Sequence, residues 1–405
     1  MKKRFYIILI ILSALIITAE GVAAYYFYKH PVKETVTEII SNKNYVSTKS
    51  DADLEYLQLD QIQKHPKNLS DVYVTGWIPD YDIPNGLATL KEQSSVFKGV
   101  SPVWFYAQED GSLKETLYSN GPELTNFASE KNFDLVPSIA LFDAPTFSKV
   151  LNSEDLINTH VSNIVNMTVD NNYKGIDLDY EALYLADKDK FFDFLKKLSD
   201  QLHSKSKILS FTVLPKWGDN IDYPALAQTR RVEDYKRIAD LSDEFRVMTY
   251  EFSGRKSPLA GPLAPLKWME YTIKYMINLG IPRDKILLGV PTYSYDWSER
   301  PLAADDLDLI NWYDVIKQNS NPSLEDGVAY FNKQINQVRN NYDLTETFND
   351  AWGEVIGRYN FKGTNRIIVF PNEESFKLRK QLAADYGIKG ITYWRIGGED
   401  GLKLQ

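Results

Sequence analysis

Short runs that favour β-strand alternate with helical stretches from about residue 70 to the end of the chain. Eight such runs occur, and they are DVYVTGWI (71–78), GVSPVWFYA (99–107), FDLVPSIALF (133–142), GIDLDYEAL (175–183), KILSFTVLP (207–215), FRVMTYE (245–251), KILLGVPTY (285–293) and IKGITYW (388–394). Helical segments lie between them, among them 154–171, 189–205 and 265–280. Because strands that alternate with helices form a parallel sheet, the pattern predicts an α/β protein, a closed (β/α)₈ TIM barrel.

A long stretch separates the seventh run from the eighth, which is too much chain for one crossover helix. It contains both strand-like and helical pieces, such as GVAYFNKQINQVRNNYDL at 327–344. The sequence therefore predicts a small α+β insertion between strands 7 and 8, at about residues 298–370, within a barrel domain that covers 69–405.

The N-terminus carries Lys2, Lys3 and Arg4, followed by a mostly apolar stretch that reaches Tyr28. A basic start before such a stretch is typical of a signal peptide or a membrane anchor, and the basic residues should stay inside the cell. We expect residues 1–30 to be one of these two and 31–68 to be a polar linker. The body of the protein is then extracytoplasmic, either secreted or held at the membrane by this segment.

Composition narrows the chemistry that the barrel can carry. The chain has no cysteine and only 4 histidines, which disfavours thiolate metal sites, cysteine nucleophiles and Ser-His-Asp triads. Its formal net charge of −9 gives no basic footprint for a nucleic acid. We expect no metal, no cofactor and no nucleic-acid partner.

The stretch YKGIDLDYEAL (173–183) places Asp177, Asp179 and Glu181 at every second position. On a strand, alternate side chains share one face, so the three acids point the same way and the apolar residues between them point the other way. One interpretation is a solvated edge strand with acids on its open face. The other is strand 4 of the barrel, with the acids in the lumen and Glu181 at its mouth, where barrel enzymes carry their active sites.

KGIDLDYE resembles the strand-four signature of the family-18 glycoside hydrolases, which include chitinases and endo-β-N-acetylglucosaminidases. Three further stretches resemble the same family, namely VMTYE (247–251), KILLGVPTYSYDW (285–297) and GITYWRIG (390–397). The resemblance covers roughly residues 70–400. Within it, SPVWFYAQEDGSL, PLAPL and YSYDW are most similar to the bacterial cell-wall and spore-associated branch.

The resemblance implies a substrate-assisted reaction in which the sugar's own N-acetyl oxygen attacks the anomeric carbon. Glu181 would be the proton donor, and Asp179 would hold the acetamido N–H. Asp177 would share a proton or a hydrogen bond with Asp179 and tune it. Tyr250 would donate its hydroxyl to the acetamido oxygen, and Trp394 would form the floor under the reacting sugar.

The same resemblance implies further residues that contact the substrate. For each of them, packing in the core is the alternative role. Candidate substrate-binding residues beyond Trp394 are Glu251, Met248, Trp104 and Tyr293, and Tyr106 and Trp297 are additional candidates for stacking. Two positions depart from the family pattern. Lys174 replaces the first Asp of the strand-four motif, and Glu251 replaces the Asp that usually follows the strand-six Tyr.

Together these features predict an exported glycosidase that hydrolyses β-1,4 bonds of N-acetylglucosamine-containing glycans, with peptidoglycan as the leading polymer. Chitin or poly-N-acetylglucosamine is the alternative substrate. A non-catalytic glycan-binding protein on the same barrel is the alternative function, and an exported assembly factor is a third. The expected partners are a polysaccharide and, through the N-terminal segment, a membrane.

Overall fold

The computed structural model of the protein describes residues 51–223 and 226–405, and the order of its elements follows the predicted alternation. The strands in this part of the chain are β1 (Tyr73–Ile78), β2 (Gly99–Ala107), β3 (Leu113–Glu115), β4 (Asp134–Leu135), β5 (Ser138–Leu141), β6 (Gly175–Tyr180), β7 (Ile208–Val213), β8 (Glu244–Val247), β9 (Ile286–Pro291), β10 (Tyr293–Ser298), β11 (Val328–Phe331), β12 (Thr345–Asn349), β13 (Glu354–Phe361), β14 (Thr364–Phe370) and β15 (Gly390–Trp394). The α-helices are α1 (Asp51–Leu59), α2 (Ile83–Glu92), α3 (Pro122–Lys131), α4 (Ala144–Leu151), α5 (Glu154–Asp170), α6 (Lys188–Ser204), α7 (Ala227–Val232), α8 (Tyr235–Leu241), α9 (Leu266–Asn278), α10 (Trp312–Gln318), α11 (Asn332–Asn341) and α12 (Glu373–Asp385).

Eight parallel strands close into a barrel in the order β1-β15-β9-β8-β7-β6-β5-β2, and β2 pairs with β1 to complete the ring. Seven of these strands fall within a predicted run and β8 begins one residue before its run, at Glu244, so the (β/α)₈ prediction is confirmed. The seam between the last strand and the first needs a glycine, because a Cβ on Gly390 would lie 1.8 Å from the Tyr73 carbonyl oxygen. The short strands β3 and β4 pair with β2 outside the ring.

The helices cover the outside of the barrel and bury their apolar faces against it. Helix α6 shows this most clearly, since its stripe of buried residues is Phe191, Phe192, Phe194, Leu195, Leu198 and Leu202. Each such side chain contributes about 1.5–3 kcal/mol when removed from water. Helix α5 begins after Ser153, whose side chain accepts a hydrogen bond from Leu156 N at 3.4 Å. Helix α9 ends just before Gly280, which has a left-handed φ of 76°. All three helices lie where the sequence predicts them.

A second, antiparallel sheet is inserted between barrel strands β9 and β15, with the strand order β11-β10-β14-β13-β12. Helix α11 packs on one of its faces through Ile335 and Val338. The sheet begins at Tyr293, earlier than the predicted boundary near residue 298. The reason is that β10 follows β9 after the single residue Thr292, and it pairs with β11 and β14 instead of with the barrel.

The segment interpreted as a linker is only partly described, and the described part is structured. Helix α1 packs on the barrel, where the rings of Tyr56 and Tyr271 stack with centroids 4.6 Å apart. The Glu55 carboxylate accepts hydrogen bonds from the backbone nitrogens of Asp219 and Asn220 at 2.7 and 3.2 Å. Residues 51–68 therefore belong with the barrel rather than with a linker, because α1 buries apolar side chains that a linker would expose.

The predicted signal peptide or anchor at 1–30 lies outside the described residues, as does 31–50. Among residues 51–223 and 226–405, no helix combines the length and the apolar character needed to cross a membrane.

Candidate active site

Asp177, Asp179 and Glu181 form a column along strand β6 that rises from the barrel interior to its mouth. The register places Asp177 beside Ser138 of β5 and Ser210 of β7, and Asp179 beside Ala140 of β5. Strand β6 ends at Tyr180, so Glu181 is the first residue beyond it. Its backbone N–H still donates to the Leu141 carbonyl oxygen at 2.9 Å, and this bond keeps Glu181 in line with the column.

Asp177 lies at the base of the column and is fully buried. Its carboxylate accepts four hydrogen bonds, from Trp77 Nε1 at 3.0 Å, Ser138 Oγ at 2.7 Å, Ser210 Oγ at 2.9 Å and Thr212 Oγ1 at 3.1 Å. Four donors satisfy both carboxylate oxygens, so the anion is well accommodated in this dry environment.

A buried arginine balances the charge at the base of the barrel. Arg246 Nη1 lies 3.7 Å from Asp177 Oδ2, and Arg246 Nη2 lies 2.6 Å from Glu244 Oε2. Glu244 in turn accepts from Lys389 Nζ at 2.7 Å. Burial by itself would raise the pKa of Glu244, but the charges of Arg246 and Lys389 lower it overall. The base of the lumen is therefore a paired network of two acids and two bases.

Asp179 occupies a different environment one level higher. It is 6% exposed, and its Oδ1 accepts no hydrogen bond from any part of the chain that the structure describes. Burial, followed by the negative charges of Glu181 and Asp177, raises its pKa well above the ordinary value. The expected hydrogen bond to Asp177 is not seen, since Asp177 accepts from other donors. Asp179 therefore offers a buried acceptor that favours a proton or an incoming N–H group.

Glu181 stands at the mouth and is partly exposed. Burial raises the pKa of its carboxyl to about 7, and the negative charge of Glu251 contributes to the shift. A carboxyl with a pKa near 7 keeps a proton to give at neutral pH and can take it back after the transfer, as general acid–base catalysis requires.

Glu251 is held beside Glu181 by groups from the inserted sheet. The hydroxyls of Tyr293 and Tyr295 both donate to Glu251 Oε1, at 3.0 and 2.7 Å. The residue has a left-handed φ of 61°, which is uncommon for a side chain other than glycine and asparagine. The predicted binding residue Tyr293 is buried and acts on Glu251, so its role in this structure is to orient that carboxylate.

Tyr250 and Trp394 lie together at the mouth, with ring planes at 18° and centroids 6.5 Å apart. Burial and the charges of Asp179 and Glu181, in that order, raise the pKa of Tyr250, which places its hydroxyl in the field of both acids. A Cβ on Gly289 would come within 2.8 Å of Tyr250 Cε1, so the glycine leaves room for this ring. Met248, the first residue beyond β8, is 8% exposed.

Two of the expected stacking residues do not reach the site. Trp104 is fully buried and packs against Tyr173 with centroids 5.9 Å apart. A register shift in β2 between Val103 and Phe105 places it at a bulge, which breaks the alternation that the sequence reasoning assumed. Trp297 is also fully buried, within the inserted sheet. Neither ring offers a face to a ligand, so the substrate-binding prediction for Trp104 is wrong.

Sequence reasoning missed two polar groups near the column. Glu233 lies between α7 and α8, is 1% exposed, and is close enough for its charge to raise the pKa of Asp179. No sequence motif marks Glu233, because it lies in a loop that packs over the end of β7. Tyr295 was missed as well, although it stands two residues after Tyr293, where strand alternation could have found it. Among the described residues, no group of three or more acidic or histidine side chains could hold a metal ion.

The geometry can be compared with known proteins. The family model described as "Glycosyl hydrolases family 18" matches residues 86–399. The chain is 32% identical over 156 residues to "Putative sporulation-specific glycosylase YdhD" of Bacillus subtilis (strain 168), a match that covers 38% of this chain and 35% of that protein. It is 25% identical over 307 residues to "Cortical fragment-lytic enzyme" of Bacillus anthracis, covering 72% of this chain and 63% of that enzyme. The chain thus spans between about a third and two thirds of these relatives.

A solved structure supports the same fold. The spore cortex-lytic enzyme SleL of Bacillus megaterium QM B1551 superposes with a TM-score of 0.68 at 21% identity, covering 84% of this chain and 76% of that one.

Proposed function

The chain belongs to family 18 of the glycosyl hydrolases, and from that premise we propose that it hydrolyses β-1,4 bonds in N-acetylglucosamine-containing glycans by a substrate-assisted, retaining reaction. The observation that carries the proposal is Glu181, a partly exposed carboxyl at the barrel mouth with a pKa raised to about 7. Directly below it, Asp179 is a buried acceptor without a hydrogen bond to Oδ1 in the described chain.

In the first step the acetamido carbonyl oxygen of the bound sugar forms a bond to the anomeric carbon while the bond to the leaving sugar breaks. Glu181 gives its proton to the leaving oxygen, so no alkoxide is released. Asp179 accepts the acetamido N–H through Oδ1, and this hydrogen bond stabilises the positive oxazolinium-type intermediate. In the second step Glu181 removes a proton from water as the water oxygen bonds to the same carbon, and the bond from that carbon to the acetamido oxygen breaks.

The hydrogen-bond partners of the other two carboxylates, Asp177 and Glu251, support substrate assistance. Asp177 is committed to four donors and to Arg246, so it has no free lone pair to offer an anomeric carbon. Glu251 is oriented by two tyrosine hydroxyls. Holding the acetamido group in line turns a bimolecular attack into an intramolecular one, an advantage that reaches about 7–11 kcal/mol in well-oriented systems.

For the natural polymer we propose peptidoglycan. The support is the printed name of the Bacillus anthracis relative, a cortical fragment-lytic enzyme, together with the match to a sporulation-specific glycosylase. We further propose that the protein acts outside the cytoplasm, held at the membrane by residues 1–30. Cell fractionation with an antibody to the barrel tests this, because recovery of a shortened protein in the medium, beginning near Tyr25, contradicts retention.

The reaction is tested by incubating the protein with purified peptidoglycan, intact and chemically de-N-acetylated, and analysing the products by mass spectrometry. We expect cleavage of the acetylated glycan only, and inhibition by an N-acetylglucosamine thiazoline that mimics the cyclised intermediate. Equal cleavage of de-acetylated glycan would show that an enzymic nucleophile is used instead. Binding to the glycan without any product would favour the alternative, a non-catalytic glycan-binding protein.

A further inference from the structure

A groove with a volume of about 240 Å³ lies between helix α11 and the inserted sheet, and the reaction outlined above does not use it. Four aromatic residues line this α11 groove, namely Tyr330, Tyr342, Tyr359 and Phe361. The other lining residues are Val338 and three amide side chains of α11. All of them belong to the described part of the chain, and none of them is charged.

The α11 groove lies on the opposite face of the inserted sheet from the one that contacts the active site. On β10 the Tyr295 hydroxyl donates to Glu251, so the next side chain, Asp296, points to the other face. The Tyr359 hydroxyl donates to Asp296 Oδ2 at 2.8 Å on that face. The register of β10 and β11 places Tyr330 there as well. The groove is therefore separate from the barrel mouth.

The aromatic rings of the groove are held in place by the sheet beneath them. Asp296 is fully buried and accepts from the Tyr359 hydroxyl and from Arg366 Nε, both at 2.8 Å. The ring of Tyr342 packs against those of Tyr359 and Phe361, and both centroid separations are 5.5 Å. Because these rings are fixed by the fold, a ligand does not have to order them when it binds.

The amides of α11 add neutral hydrogen-bonding groups beside the rings. Gln334 accepts from Phe331 N at 3.0 Å through its oxygen, which leaves its NH₂ group to donate. Asn341 donates to the Gln337 carbonyl oxygen at 2.7 Å, which leaves its own side-chain oxygen to accept. The Gln337 side chain is exposed. The groove therefore offers donors and acceptors next to aromatic surface.

Such a combination suits a sugar ring, because the ring has an apolar C–H face and polar groups along its edge. Small-molecule sites generally pair aromatic walls with a few polar groups that fix the orientation of the ligand. Phe361 is 36% exposed and Tyr342 is half-buried, so part of the aromatic surface is open to a ligand. The absence of charge among these lining residues favours an uncharged ligand, since an ion would be desolvated there without a counter-charge.

We propose that the α11 groove is a second glycan-binding site, which takes one uncharged sugar unit of the polymer that is cut at the barrel mouth. The proposal rests on the proposed function only for the identity of that polymer. The volume of about 240 Å³ lies below the range of about 300–1,000 Å³ of sites for drug-sized ligands, so the groove has room for one ring rather than for a chain segment. Binding one unit there makes binding of another stretch at the mouth intramolecular, which keeps the enzyme on the polymer.

The test is a titration of the full chain with tri-N-acetylchitotriose, followed by methyl NMR. The Glu181→Gln variant is used so that the trisaccharide is not hydrolysed. The methyl signals of Val338 report the groove, and that of Met248, the first residue beyond β8, reports the barrel mouth. We expect both sets of signals to shift, each with its own dependence on sugar concentration. Val338 signals that stay fixed while the Met248 shift saturates would overturn the proposal and show that the groove is only a gap in packing.

Two further variants identify the lining as the binding surface. Phe361→Ala removes a ring, and Gln337→Ala removes an exposed amide and decides the test if the first variant does not fold. Each should weaken the binding seen at Val338 by about three- to ten-fold. Asn340→Ala is the matched control, because Asn340 is also an exposed amide of α11 but does not line the groove. Wild-type affinity at Val338 in the folded groove variants, or equal weakening in the control, would contradict the assignment.

The chemical class of the ligand is tested with the de-N-acetylated trisaccharide, which is a cation. We expect little or no response of Val338, and an equal response to both sugars would overturn the preference for an uncharged ligand. The same data separate this proposal from the proposed function. If Val338 responds but the wild type cleaves no acetylated glycan, the second site stands and the proposed function fails. If the wild type cleaves the glycan and Val338 does not respond, only the second site fails.

Discussion

The Tyr295 hydroxyl lies 2.7 Å from Glu251 Oε1, so a residue of the inserted sheet orients a carboxylate that follows a barrel strand. Tyr293 donates to the same oxygen at 3.0 Å from two residues earlier on β10. Because the charge of Glu251 raises the pKa of Glu181, the insertion acts through Glu251 on the proposed general acid.

Glu251→Gln should therefore move the alkaline limb of kcat/KM to lower pH. The sign follows from charge, since removing a neighbouring anion lets Glu181 lose its proton more easily. Tyr295→Phe is the matched control, because it leaves the charge in place and removes one donor. We expect it to lower kcat/KM with a smaller displacement of the limb. Equal displacement in both variants would mean that orientation, not charge, sets the pKa.

Glu181→Gln should abolish turnover while leaving glycan binding nearly intact. The amide keeps the shape of the side chain but has no proton to give, and loss of a general acid commonly costs about a hundred- to ten-thousand-fold in rate. Steady-state kinetics and a sedimentation assay with insoluble glycan measure the two properties. A variant that retains more than about a tenth of the wild-type rate would place the acid elsewhere.

Asp177→Asn and Asp179→Asn should separate stability from activity. At position 177 an amide cannot accept from four donors and leaves Arg246 with one carboxylate fewer, so we expect a loss of about 3 kcal/mol in the free energy of unfolding. At position 179 the buried carboxyl has no donor on Oδ1, so unfolding should change little while kcat falls steeply. The midpoints of urea unfolding and the values of kcat, measured for both variants, test this separation. The reverse ranking would exchange the roles assigned to the two acids.

His160 should make the fold sensitive to acid. It is fully buried, its Nε2 lies 2.7 Å from the Tyr180 hydroxyl oxygen, and burial lowers its pKa from 6.5 to about 4. Since the unfolded chain takes up the proton first, this contribution is present above pH 6.5 and is lost as pH falls toward 4. The shift corresponds to roughly 3 kcal/mol.

Urea unfolding near neutral pH and near pH 5 measures the loss at His160, with His160→Gln as the comparison. The variant should have a shallower dependence of stability on pH between the two conditions. Parallel curves for variant and wild type would assign the acid sensitivity to other groups.

The order of strands and helices was already determined by the sequence, because apolar periodicity records which face of each element is buried. The strand runs, such as those of β6 and β9, and the apolar stripe on α6 are local patterns. Eight strand runs that alternate with helices form a compact structure when the sheet closes into a barrel. The column of Asp177, Asp179 and Glu181 follows from the two-residue repeat of a strand in the same way.

Only the tertiary structure decided what each acid can do. The strand pattern places the three carboxylates on one face, but the fold surrounds Asp177 with donors and an arginine. It leaves Asp179 with an open acceptor and brings Glu251 beside Glu181. The fold also places Glu233, from a loop with no sequence motif, over the end of β7. It buries Trp104 at a bulge in β2, which the alternation of side chains along a regular strand does not predict. A pKa depends on burial and on charges within a few ångströms, and residues far apart in the chain supply both.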